Sequence, residues 1–182
     1  MAQSAQFIDA TQKQIVFNDT NGISWSGIPC TVANGAVTLT TDGEVPDKLK
    51  AWLALGNVVA PYVAPPITVA QVVAERERRM ALGFNYTFPD ARGTHHIGTT
   101  PADMVGWDEV TKATQAMVAL GSGTSTFGTI VTDTGSAVIT ALEWQSILIS
   151  ATLFRQPLWS KSFALQAMTP IPADYAADAR WA

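Results

Sequence analysis

Ile15, Val16 and Phe17 form a short apolar run that stops at the turn-rich stretch NDTNG, and beyond it Ile23 and Trp25 alternate with Ser24 and Ser26. Alternation on both sides of a turn predicts a hairpin. CTVANGAVTLT predicts a second one, because Asn34-Gly35 supplies the positive backbone angles of a tight turn between Thr- and Val-rich arms. VPDKLKAWLALGN then changes period: Leu49, Trp52 and Leu53 share a helical face, Pro46 suits the first turn and Gly56 stops the helix. VVAPYVAPP follows as a stiff, extended connector. These patterns divide the start of the chain into a β-rich module with a short helix over residues 1–56 and a Pro-rich linker over 57–67.

From Thr68, TVAQVVAERERRMALG predicts a helix that packs through Val69, Val72, Val73, Met80 and arginine stems and closes at Gly83. Phe84, Tyr86 and Phe88 then fall on one face of a strand, PDARG turns, and THHIGT returns. The three aromatics are expected to face inward, with at least one histidine toward solvent or a neighbouring subunit. Thr100, Pro101 and Asp103 mark the start of a helix reaching Leu120. Another strand-turn-strand leads to Thr140 and Glu143 at capping-box spacing, where a long helix begins that reaches about Met168, with a kink expected at Pro157. The two units echo each other weakly: hairpin, threonine cap, acid, then Trp107 or Trp144. The expected class is α+β: a small β-hairpin module, a short helix and linker, then a mainly helical domain with two hairpins over 68–168. Residues 169–182 form a tail with little to fold around unless it docks on a partner.

Composition changes this picture in one respect. With 47% hydrophobic residues, 14% charged and a mean hydropathy of +0.15, the chain is poor in charge for a free monomer, so part of its surface is expected to meet other protein. A net charge of −4 from 11 Lys and Arg against 15 Asp and Glu argues against a nucleic-acid groove. The basic cluster ERERR reads as an ion-paired, solvated helix face, Glu75 lying three and four residues before Arg78 and Arg79. The N-terminal MAQSAQFIDATQKQ does not read as a signal peptide, and prolines 61, 65 and 66 interrupt the most apolar region, so no membrane insertion is expected.

The chemistry-bearing residues are few. His95 and His96 are the two histidines, and as strand neighbours they point to opposite faces, which weighs against a shared metal ion. Cys30 is alone, so neither an internal disulfide nor a cysteine zinc site is available. Asp108 and Glu109 diverge on a helix, and Asp90 suits capping of its own turn. No nucleophile elbow, phosphate loop or dinucleotide fingerprint is present. The expectation is a protein that is not an enzyme and holds no cofactor or metal. Most of the tryptophans fall on predicted helices, as Trp52, Trp107, Trp144 and Trp159 do, where core or subunit packing is the expected use. Trp25 and Trp181 stand outside those helices as candidate contacts.

The segments ALGFNYTF, GTTPADMVGWDEVT and EWQSILISATLFRQPLWSKSFAL make residues 68–168 resemble the uncharacterised C-terminal domain of many phage tail-fibre and tail-associated proteins. KLKAWLALGNVVAPYVAPP is similar to the proline-linked segment that precedes that domain. The resemblance carries structural motifs and no catalytic signature. It implies a virion protein made in the host cytoplasm and built into a tail fibre, baseplate or tail tip, with other tail proteins as partners and a role in host attachment. The symmetry of such appendages suggests a homo-oligomer, a trimer being the natural case. Phe17, Trp25, Trp52, Trp159 and Trp181 are then the candidate assembly contacts, and the N-terminal module, with Ile23 beside Phe17 and Trp25, the candidate tail attachment. Two alternatives stay open: an assembly chaperone absent from the finished particle, and a module that binds a host surface glycan through an exposed Trp25 or Tyr86.

Overall fold

The computed structural model describes residues 2–182 and has the expected α+β class. The chain divides into two compact units, which part between Pro65 and Pro66.

In the first unit, β1 (Ser4–Phe7), β2 (Gln14–Asn18), β3 (Ser24–Ala33) and β4 (Ala36–Leu39) form an antiparallel sheet in sequence order, followed by helix α1 (Glu44–Ala54). Both predicted hairpins are present. Asn34 and Gly35 have φ of 51° and 79°, the left-handed pair that a two-residue turn between twisted strands requires. Strand β1 was not legible in SAQF, four residues with two apolar positions. Its register, Ala5 opposite Phe17 and Phe7 opposite Ile15, brings both onto the buried face. Leu49 and Trp52 of α1 complete that core with Ile15, Phe17 and Ile28.

The linker departs from its predicted role. Phe7 donates its backbone N–H to Ala60 O at 3.0 Å, Ala60 donates back to Ala5 O at 2.9 Å, and Val59 is buried. Residues 59–60 are therefore stitched onto the edge of β1 and belong to the first unit, so the boundary moves from 56/57 toward the consecutive prolines at 65 and 66. Pro61, lacking an N–H, cannot extend the pairing.

The second unit contains α2 (Val69–Met80), the hairpin β5 (Phe84–Thr87) and β6 (Thr94–Ile97), α3 (Pro101–Ala119), the hairpin β7 (Thr126–Thr132) and β8 (Gly135–Thr140), and α4 (Ala141–Gln166). Thr68, Thr100 and Thr140 each cap a helix reciprocally, with Gln71, Asp103 and Glu143 returning the bond. Pro157 lies inside α4 without interrupting its 26-residue assignment. Val69, at the open first turn of α2, remains half exposed, against its predicted packing role.

Two cores hold this unit. In one, Trp107 and Trp144 meet Phe88, Ile97, Ile139 and Ile147. In the other, Val72 and Met80 of α2 meet Leu158 and Leu165 of α4, and the tail closes over them with Ile171, Tyr175 and Trp181. The tail thus docks on its own chain. Trp181 is buried, its indole N–H donates to Tyr175 O at 2.8 Å, and the Arg79 guanidinium lies over its ring.

That contact also corrects the reading of ERERR as a solvated face. Glu75 accepts from Arg78 and Arg79 as its spacing predicts, but Arg79 reaches on to Ala176 O at 2.9 Å and Asp178 at 2.8 Å. Arg76 is buried with its guanidinium 3.7 Å from the centroid of Trp159. One arginine clamps the tail and another covers a tryptophan.

Candidate functional site

The two capping boxes that open α3 and α4 place Trp107 and Trp144 about two turns and one turn into their helices, respectively. Their rings meet edge to face with centroids 5.1 Å apart. The Trp144 indole N–H donates to Thr111 Oγ1 at 2.9 Å, and Gln145 Nε2 donates to Thr114 Oγ1 at 3.2 Å. Within the second unit, the echo between the two hairpin–helix segments is thus a physical contact: their tryptophans pack on each other.

Beside this pair, a cleft of about 280 Å³ opens between α3 and β7, walled by Trp107, Val110, Ile130 and Val131. Gly106 lies on its α3 side, where an added Cβ would meet nothing within 4 Å. Strand β7 belongs to a two-stranded sheet, so its edge away from β8 carries no strand partner among the described residues. The one carboxylate on the cleft, that of Asp103, accepts from Thr100 N at 2.8 Å and Thr100 Oγ1 at 2.7 Å and serves as a helix cap. The cleft can seat an apolar side chain, and its carboxylate is already engaged.

The histidines separate as strand neighbours must. His95 lies opposite Tyr86 and His96 opposite Asn85. His95 is buried with its ring edge on Phe88, centroids 5.6 Å apart, and its Nδ1 is 3.2 Å from Thr132 Oγ1. His96 is half-buried, with Nδ1 3.1 Å from Asn85 Oδ1, and its backbone N–H donates to Thr134 Oγ1 at 2.9 Å. Both link the β5–β6 hairpin to its surroundings, His95 and the His96 backbone reaching the β7–β8 turn. Among the described residues, no group of three His, Cys, Asp or Glu could hold a metal ion. Phe84, Tyr86 and Phe88 face the core, as their alternation predicts.

Arg92 was not singled out in the sequence, yet it joins three elements. From the β5–β6 turn it pairs with Asp90 at 2.5 Å, donates to the carbonyl of Val138 on β8 at 2.6 Å, and pairs with Glu143 in the first turn of α4. Its guanidinium carbon lies 4.1 Å from the centroid of the Phe88 ring. Asp90 also caps its own turn, accepting from Arg92 N at 2.9 Å. A fork of five donors can satisfy all of these acceptors at once, which a lysine could not.

This junction is sensitive to acid. The Arg92 side chain holds the Glu143 carboxyl below its ordinary 4.5 and pulls Asp90 from 3.8 down to about 2. Carboxyls depressed in the folded state add stability that is complete above their unfolded values and is lost as pH falls through the folded ones. The melting temperature is therefore expected to fall as pH drops from about 4.5 toward about 2. Glu143→Gln should flatten that acid slope while lowering the plateau at neutral pH. An unchanged slope in thermal unfolding followed by circular dichroism would count against this linkage.

The candidate contacts distribute unevenly. Phe17 is fully buried, stacked on Trp25 at 6.1 Å and tilted against Trp52 at 6.0 Å, and Trp52 is itself buried. Phe17, Trp52 and Trp181 are thus core residues, packed among the other buried apolar side chains of their units. Trp25 and Trp159 are half-buried, the first with Lys48 Nζ 5.4 Å from its ring centroid, the second beneath Arg76. The exposed apolar residues lie elsewhere. In the second unit they include Val105, Leu120, Val131, Ile149, Leu153 and Phe163. No helix among the described residues is long and apolar enough to cross a membrane.

Compared with protein-family models, with curated proteins and with solved structures, the chain finds no match in any of the three.

Proposed function

We propose that this protein is a structural component of a bacteriophage tail, in a fibre, baseplate or tail tip, and acts through protein–protein assembly. The observation that carries the reading is the resemblance of residues 68–168 to the C-terminal domain of phage tail proteins. The geometry supports it in two ways. Residues with acid-base character are engaged in architecture: Asp103 and Glu143 in caps, Asp90 in a turn, Arg92 across three elements, and both histidines in hydrogen bonds. The charge-poor surface also leaves large aliphatic and aromatic side chains in the open, which suits a subunit that is covered on assembly. Partners in this reading are other tail proteins and further copies of the chain, with no catalytic turnover.

Quantitative mass spectrometry of purified virions tests the proposal. Peptides at a fixed, stoichiometric ratio to a known tail subunit are the expected result. Abundance in infected cells combined with absence from washed particles would overturn it in favour of an assembly chaperone.

A further inference from the structure

Helix α4 is apolar on two sides, and its own unit covers one of them. Trp144, Ile147, Ala151, Leu158 and Leu165 point into the cores. On the other side, Leu142, Ser146, Ile149, Leu153, Gln156, Ser160 and Phe163 recur at alternating steps of four and three, and all seven are exposed. That is the heptad spacing of a coiled-coil seam, held for three heptads over about 32 Å of helix. Leu142 is 46% exposed, Ile149 63%, Leu153 70% and Phe163 59%.

We propose that this stripe is where a second copy of the chain docks, α4 against α4. The absence of charge lets a copy of itself be the occupant. The charged residues of α4 are Glu143, Arg155 and Lys161, none of them on the stripe, so two copies meet without like-charge repulsion and no charge is offered to a different partner. Area agrees. With full side-chain areas near ~170 Å², the four apolar residues expose on the order of 400 Å². Each side of a standard interface buries about 800 Å², a little over half of it non-polar, so the stripe supplies roughly that non-polar share. Ser146, Gln156 and Ser160 place uncharged polar groups in the seam, where they can fix register at some cost in strength. Leu153 lies near the midpoint between Leu142 and Phe163, so a two-fold axis there sets it against its own copy in either helix direction. The seam deepens the tail reading by naming the contact between copies. From that reading it takes only the expectation of self-assembly.

Light scattering of the full chain over the micromolar range tests it, comparing wild type with Ile149→Glu/Leu153→Glu and with Leu55→Glu, a control at an 81% exposed site in the first unit. The expected result is an oligomer in wild type and control, and at least ~100-fold weaker association in the double variant, which places unpaired charges in the seam. An unchanged far-ultraviolet spectrum would show that its fold is intact. Leu153→Cys in a Cys30→Ser background is expected to form a disulfide-linked pair under mild oxidation. A wild-type monomer throughout, or an oligomer indifferent to the two glutamates, would overturn the seam. A monomer would take further copies of the chain out of the expected partners in solution, whereas incorporation into the tail is decided separately by the virion measurement.

Discussion

Trp144→Ala is expected to cost the second unit about 3–5 kcal/mol, the range for removing a buried tryptophan. Trp144 is 3% exposed, its ring is set edge-on against Trp107, and its N–H satisfies Thr111. Domains of this kind have about 5–15 kcal/mol in all, so the variant should be partly unfolded at modest denaturant. Trp144→Phe is the informative companion. It keeps an aromatic ring against Trp107 but loses the indole N–H and part of the ring area, and should cost less, about 1–3 kcal/mol. Urea unfolding followed by circular dichroism would measure both. A loss below about 1 kcal/mol for the alanine variant would show that the α3–α4 contact closes without its two tryptophans.

The second large effect is expected at the other end of the unit. Trp181→Ala removes a buried ring from the core of Val72, Met80, Leu158 and Leu165 and should cost about 3 kcal/mol. A physical ceiling applies here that does not apply to Trp144. The tail is expected to open locally while α2 and α4 stay folded, which limits the loss to the tail's own docking energy. Deleting residues 169–182 tests that ceiling by removing Ile171 and Tyr175 as well. Amide exchange in α2 is expected to accelerate in both variants, and the deletion should bind a hydrophobic dye at the surface it exposes. The Arg79–Asp178 pair contributes little by comparison, because Asp178 is 98% exposed and such pairs are worth at most about 1 kcal/mol. Identical melting and exchange in wild type and deletion would mean that the tail adds nothing to this core.

Where the helices begin is written locally, because a capping box is a contact within three residues. Thr68 with Gln71, Thr100 with Asp103 and Thr140 with Glu143 each act over three residues, and all three form as capping boxes. Gly83 shows the limit of such reasoning. Its position marks the end of α2, and its φ of +74° fits that role. That an added Cβ there would also run into the Ile97 carbonyl and the His96 ring follows only once β6 is folded back against it.

The sequence by itself determined where helices start, where strands turn and which strand residues share a face, because those choices rest on contacts within about four residues or on the two-residue alternation of a strand. Only the tertiary structure decided that 59–60 joins β1, that Arg92 reaches Val138 and Glu143, that Trp181 is buried rather than free, and which side of α4 stays uncovered. Each is a contact between groups distant along the chain. A helix with apolar residues on two sides does not say by its own pattern which side turns inward, and packing alone makes that choice.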